Sequence, residues 1–121
     1  GWRNVRLIAA NAAEHQLPAG SVDAVLCCLV HDLATSREAM QAAASALRDG
    51  GRFVVAGVKL ATGPFATVLN PVLRVSARFG VTAPLTDSPW STLEAVLGRL
   101  DIAELGWGFA YFAAGAKARF R

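Results

Sequence analysis

His31 and Asp32 close the segment "VDAVLCCLV" at residues 22–30. An imidazole titrates near neutral pH, so His31 could take a proton from a hydroxyl or an acidic carbon as a general base. More often a residue so placed shapes a pocket or caps the loop that follows. Cys27 and Cys28 stand just before it. On a strand, adjacent side chains point to opposite faces, so these two thiols are a poor disulfide pair. They lack the CxxC spacing of a zinc site and read as small buried hydrophobes. His15 lies in a polar loop and reads as solvated. Glu14 and Glu104 have no partner at a metal-binding spacing, and no metal site is expected. Trp90, Trp107, Phe109 and Tyr111 read as core side chains more readily than as substrate contacts.

The elements that would position these groups follow from pattern. "NVRLIAAN" (4–11) is rich in branched apolar residues and reads as a strand. "LPAGS" (17–21) is a loop. Residues 22–30 form an apolar run of strand length, as in a parallel strand buried on both faces. "TSREAMQAAASALRDGG" (35–51) reads as the best helix, with Ser36 as its cap and Ala39, Met40, Ala43 and Leu47 at helical spacing. Gly50 and Gly51 are expected to stop it, at least one with positive φ. "RFVVAGV" (52–58) is a further short buried strand, which completes a β-α-β unit.

Residues 61–90 carry four prolines, Pro64, Pro71, Pro84 and Pro89. Short helices fit around 65–69 and 71–79, with Pro71 between them. "SPWSTLEAVLGRL" (88–100) reads as a helix capped by Ser88 with Pro89 first, or by Ser91 with Glu94 three residues on. "DIAELGWGFAYFAAGAKA" (101–118) reads as two strands broken at Gly106–Gly108.

Bulk properties narrow the class. The chain has 121 residues, 54% of them hydrophobic and 17% charged. That is one domain at most, and too apolar for a disordered chain. A mean hydropathy of +0.38 is high for a small domain, so part of the surface is expected to be covered. No apolar run reaches the ~18–20 residues that span a bilayer. No secretory leader pattern opens the sequence. The two cysteines fit a reducing cytoplasm. The net charge of +3 is partly terminal and not interleaved with aromatics, so nucleic acid is not an expected partner.

In order, these pieces resemble a known family. "NVRLIAANAAEHQLPAGSVDAVLCCLVHDL" followed by "LRDGGRFVVAG" is similar to the run "NVxFxxGDAExLPFPDGSFDAVxxxxxLHHL", a helix, then "LKPGGRLVVxD". That run marks class I S-adenosylmethionine-dependent methyltransferases of the small-molecule branch, near the quinone-biosynthesis C-methyltransferases. "PWSTLEAVLGRLDIAELGWGFAYFAAGAKA" looks like the family's last helix and terminal hairpin. The resemblance implies a Rossmann-like three-layer α/β/α sandwich, its mostly parallel sheet ending in an antiparallel β-hairpin. It also implies S-adenosylmethionine as cofactor and a small-molecule acceptor. Residues 61–87 fall where the family varies its substrate lid, and their apolar content suggests a hydrophobic acceptor.

The resemblance carries roles to particular positions. Asn11 stands where the family usually has an aspartate that accepts from the adenine amino group, and an amide oxygen can do the same. The Ala12 N–H would face an adenine ring nitrogen. Without the resemblance, Asn11 reads as capping a strand end or a turn. Cys28 and Leu29, at a strand's carboxyl end, would line the cofactor's methionine end. His31 and Asp32 stand where the family often has "HH" or "HD".

The family's ExGxGxG motif and its ribose-binding acid are not in this sequence. By the resemblance, residues 1–121 are a partial domain beginning at the third strand of the order 3-2-1-4-5-7-6. The N-terminal half, or a partner chain, would then supply strands 1 and 2. Without them residues 4–11 lack a neighbouring strand and residues 23–30 become an apolar edge. A non-catalytic Rossmann-like interaction module that pairs with another chain is the alternative. A different Rossmann-like binding domain sharing only the strand–helix–GG–strand grammar is a third reading.

Overall fold

The computed structural model describes residues 1–80 and 84–119. Residues 81–83 of the segment 61–87, and residues 120–121, lie outside the described residues. The order of elements is β1 (Val22–Cys28), α1 (His31–Ala34), α2 (Arg37–Ala46), β2 (Leu47–Val58), α3 (Ala66–Ala77), α4 (Ser91–Leu97), β3 (Asp101–Leu105) and β4 (Ala110–Ala116).

Helix α2 forms where its composition says it should. The Ser36 side chain accepts from the Ala39 N–H at 3.3 Å, and Glu38 lies in the first turn, where a negative charge suits the helix dipole. Its end differs from expectation. The helix stops at Ala46, and Leu47 is already extended, with φ −65° and ψ 136°. Leu47 is fully buried and pairs with Val22, so its side chain gains more as the start of a strand than as a further helical turn. Gly50, at φ +75°, supplies the expected left-handed corner, now inside β2. There the register with β1 shifts between Val22 and Ala24. Gly51 has ordinary φ, but a Cβ on it would lie 2.9 Å from the Arg48 carbonyl oxygen and 3.0 Å from that of Asp23.

The four strands are ordered β1-β2-β4-β3. β1 and β2 are parallel, while β2–β4 and β3–β4 are antiparallel. The sheet is therefore mixed and mostly antiparallel, a correction to the mostly parallel sheet expected. The terminal hairpin forms as read, through Gly106, Trp107 and Gly108, all at positive φ.

α1, α2 and α4 gather on one face of the sheet, over Cys27, Phe53, Val55, Tyr111 and Ala113, with Met40 and Leu93 fully buried between them. Each fully buried large apolar side chain of this kind stabilises the fold by about 1.5–3 kcal/mol. The opposite face carries Leu26, Val54, Ala56, Phe112 and Ala114, all half-buried or exposed. No third layer covers it among the described residues, so the three-layer sandwich does not form there. For the same reason β1 is not buried on both faces. Only its Cys27 is buried, and Leu26 is 71% exposed.

Residues 4–11 are not a strand. The edge of β1 pairs with nothing among the described residues, and these residues stay exposed. A branched apolar run needs a neighbour's backbone to become a strand. The two short helices expected around Pro71 are one helix, α3, with Pro71 inside. Proline there forfeits a single helical bond. α4 begins at Ser91 behind Trp90 with no side-chain cap, and Ser88 Oγ donates to Asp87 Oδ1 instead. Neither expected cap is used.

Candidate functional site

β1 and β2 run parallel, so their carboxyl ends open side by side, where ligands sit in open α/β sheets. Leu29 follows β1 directly. Its N–H still donates to the Ala56 carbonyl at 2.9 Å, yet its φ is +56°, a costly conformation for a residue with a Cβ. The chain thereby turns sharply off the sheet and starts α1 at His31. A cavity of about 140 Å³ lies at this corner, lined among others by Leu29, His31, Ala56, Leu85 and Tyr111.

His31 is fixed from the far side of the chain. Its Nε2 lies 2.9 Å from the Pro84 carbonyl oxygen, which can only accept, so Nε2 carries the proton. Nδ1 is then the basic nitrogen. It is buried and has no hydrogen-bond partner among the described residues. A buried, unpartnered basic nitrogen beside a cavity is suited to accept a proton from a bound molecule. Tyr111 closes the same cavity. Burial, with a smaller contribution from Cys27, pushes its hydroxyl up to about 12. Burial also raises the Cys27 thiol. Both stay neutral at physiological pH.

Asn11 forms a turn of its own. Its Oδ1 accepts from the Ala13 N–H at 3.0 Å, its Nδ2 donates to Glu14 Oε1 at 3.1 Å, and its carbonyl accepts from the Glu14 and His15 N–H groups. Ala12 lines a second, larger cavity of about 360 Å³, together with His15, Val22, Cys27, Met40 and Ala43. This groove runs along β1 and α2, not at the strands' carboxyl ends, and is nearly all apolar. It has the character of a packing seam beside the open edge. Cys28 is exposed, and its neighbour Cys27 points into the core, so only one of the two thiols is a buried hydrophobe. Leu29 and His31 thus line one cavity and Ala12 the other, while Asn11 and Cys28 line neither.

Three residues of this corner, Tyr111, Pro84 and Leu85, are not read as such from the sequence. Tyr111 is a core side chain as expected, buried with Ala113 on the inner face of β4 while Phe112 is exposed, and it also lines this cavity. Pro84 and Leu85 come from a loop that pattern cannot place. Lys59 is fully buried just past β2, with Nζ 3.2 Å from Glu104 Oε1, 3.0 Å from the Leu60 carbonyl and 5.6 Å from the Trp90 ring centroid. A lone lysine inside the apolar run "FVVAGVKLA" was the available signal. Trp107, expected in the core, is mostly exposed.

Residues 1–55 match the methyltransferase domain family. No curated protein matches the chain significantly. Among solved structures, the fold is shared with the S-adenosylmethionine-dependent methyltransferase SibL in its apo form, at TM-score 0.66 and 22% identity, over 97% of this chain and 37% of that one. YcgJ of Bacillus subtilis matches at TM-score 0.68 and 15% identity, over 98% of this chain and 73% of that one. The 16S rRNA methyltransferase RsmC of T. thermophilus, in complex with AdoMet and guanosine, matches at TM-score 0.53 and 23% identity. That match spans 91% of this chain but 23% of RsmC. The chain therefore covers well under half of RsmC and SibL. The match to the methyltransferase domain family thus covers residues 1–55, and the chain as a whole shares an α/β fold with these solved structures.

Proposed function

We propose that the chain is the C-terminal part of a class I methyltransferase that moves a methyl group from S-adenosylmethionine to a small, apolar molecule. The observation that carries the reading is the corner at the carboxyl ends of β1 and β2. There Leu29 is held at positive φ, and His31 presents an unpartnered Nδ1 beside a cavity. The ordered motifs between Asn4 and Gly57, and the strand order β1-β2-β4-β3, support it from sequence and topology.

The residues present fit one part of the cofactor. At about 140 Å³ the corner cavity is smaller than the ~300–1,000 Å³ of typical ligand pockets. Leu29 would bound the methionine end. Asn11 Oδ1 keeps a second lone pair, which would accept from the adenine amino group, with the Ala12 N–H beside it. Cys28 would contribute its backbone. When bound, the cofactor supplies a methyl group already activated on a sulfonium. The chain's own residues orient the acceptor and exclude water. His31 Nδ1 would hold the proton lost by a hydroxyl or acidic-carbon acceptor, and the Pro84 carbonyl keeps the imidazole in the tautomer that can do so. The lid role proposed for the segment 61–87 is supported by Pro84, which meets the imidazole, and by Leu85, which lines the cavity.

The open edge of β1, the bare sheet face and the unpaired residues 4–11 support a missing N-terminal half, or a partner chain, that supplies strands and the glycine motif. The free thiols of Cys27 and Cys28 support a reducing, cytoplasmic setting. The test compares residues 1–121 alone with a chain extended by the preceding ~80–130 residues, the missing half of a typical domain. Calorimetry with S-adenosylmethionine is expected to show no binding to the first and one-site binding to the second. Tight binding by a monomer of residues 1–121 would refute the missing half.

A further inference from the structure

Two polar groups of opposite kind meet the corner cavity, and neither is paired. His31 Nδ1 can only accept, because Nε2 carries the proton towards the Pro84 carbonyl. Tyr111 lines the same cavity from β4 and is 4% exposed. Its hydroxyl makes no hydrogen bond among the described residues, although a tyrosine buried to this degree ordinarily finds a partner. The two groups do not pair with each other either, since Nδ1 has no partner. A molecule seated between them would satisfy both.

The sheet places the hydroxyl. Tyr111 stands opposite Gly57 in the register of β2 with β4. A Cβ on Gly57 would lie 3.5 Å from Tyr111 Cε1 and 3.6 Å from its Oη. The phenol therefore lies over β2 at a position without a side chain, and Gly57 itself lines the cavity. The Trp90 ring packs on the phenol, with centroids 5.5 Å apart. Burial, and then Cys27 on β1, push the hydroxyl up to about 12, so it remains a donor at neutral pH. The cavity of about 140 Å³ is close in size to the ~150 Å³ that holds a benzene molecule, enough for the reacting end of an acceptor.

A donor on the reacting atom would tie up the lone pair that must attack. The atom that gives its proton to Nδ1 and the oxygen held by Tyr111 are therefore different atoms of one acceptor. A carbon acid beside a carbonyl meets that requirement within one small group. As its C–H bond breaks, the proton goes to Nδ1 and the electron pair moves onto the carbonyl oxygen, giving an enolate. A fixed donor at that oxygen stabilises the charge as it develops, most of all where water is excluded.

We propose that the acceptor is an enolisable carbonyl compound, whose acidic carbon gives its proton to His31 Nδ1 and whose oxygen is held by the Tyr111 hydroxyl. This rests on the methyltransferase reading for the role of acceptor, and adds Tyr111 as the residue that recognises the oxygen.

The probe is acetylacetone, a carbon acid of this size whose enolate absorbs at longer wavelength than its neutral forms. Titrated at neutral pH into the full-length protein without cofactor, it is expected to bind and to develop the enolate band. Tyr111→Phe keeps the ring over Gly57 and against Trp90, so the thermal melt should change little. Probe affinity should fall roughly 10–100-fold, the worth of one hydrogen bond to a charged oxygen. His31→Gln should remove the enolate band. Equal probe affinity in wild type and Tyr111→Phe would overturn the proposal, as would an enolate band that never forms in wild type or that survives His31→Gln. A separate titration with S-adenosylhomocysteine tells this failure from that of the underlying reading, and should give equal affinity in wild type and Tyr111→Phe. A wild type that binds the probe but not S-adenosylhomocysteine would sink methyl transfer while the enolate site stands.

Discussion

Lys59 Nζ lies 3.2 Å from Glu104 Oε1, and the lysine side chain is wholly buried while the glutamate is about one-third exposed. The pair fastens the end of β2 to β3, across the hairpin that carries Trp107. Thr62 Oγ1 donates to the other carboxylate oxygen at 2.8 Å, tying in the start of the lid segment. Removing the glutamate charge would leave an ammonium buried without its counter-ion. Glu104→Gln should therefore destabilise the fold by about 1–2 kcal/mol, the range for a hydrogen bond to a charged group after discounting for Glu104's exposure. Adding Lys59→Met should recover much of that, since apolar replacement of both partners is often neutral. Urea unfolding of the single and double variants reads both effects. Equal stability of wild type and Glu104→Gln would show that the pair does nothing.

The same carboxylate sets an acid dependence. The Thr62 hydrogen bond, and then Lys59, hold Glu104 below the ordinary 4.5 despite some desolvation. A folded-state value below the unfolded one gives stability that is fully present above the unfolded value. It is lost as pH falls through the folded value. The stability difference between wild type and Glu104→Gln should therefore shrink as pH drops below about 4.5. Unfolding curves across that window, showing a difference constant with pH, would contradict the assignment.

Gly50 and Gly51 fail differently on substitution. Gly50→Val places a β-branched residue at φ +75° and should cost about 1–3 kcal/mol. Gly50→Asn should cost much less, because asparagine tolerates that region. Gly51→Val has acceptable φ but meets two backbone carbonyl oxygens at 2.9 and 3.0 Å, which cannot swing aside as a side chain can. It should be at least as damaging as Gly50→Val. Thermal melts of the three variants settle the order, and a Gly51→Val protein as stable as wild type would show that the corner can open.

His31→Ala removes the only side chain at the corner with a free basic nitrogen among the described residues. Methyl transfer in the full-length protein should fall about 10²–10⁴-fold if the acceptor must lose a proton. Affinity for S-adenosylhomocysteine should stay near wild type, since His31 is assigned to the acceptor side. A variant with unchanged turnover would reduce His31 to a packing residue held by Pro84.

Much of the local grammar was legible because it depends on near neighbours. Ser36 at the start of α2, the run 22–28 as a strand and the turn at 106–108 each follow from a few adjacent residues. What misled were elements whose state depends on a distant partner. Residues 4–11 have a strand's composition but no strand beside them. Leu47 has a helix's spacing but a better place against Val22. Pro71 suggested a break that the rest of α3 overrides. The corner was half legible. His31 and Leu29 stand at a strand end, where open sheets bind ligands. The contacts that set their chemistry, from Pro84 and Tyr111, cross more than fifty residues of chain. Pattern reading has no access to such pairs.

The proposed cofactor site joins this corner to the turn at Asn11. The most direct test is calorimetric titration of S-adenosylhomocysteine into the full-length protein and its Asn11→Leu variant. One-site binding is expected, and Asn11→Leu should weaken it by about 1–3 kcal/mol, the worth of an acceptor lost from a buried donor. The variant's melting profile should change little, because Asn11 is exposed. No heat of binding to the wild type, or identical affinity in the variant, would contradict it.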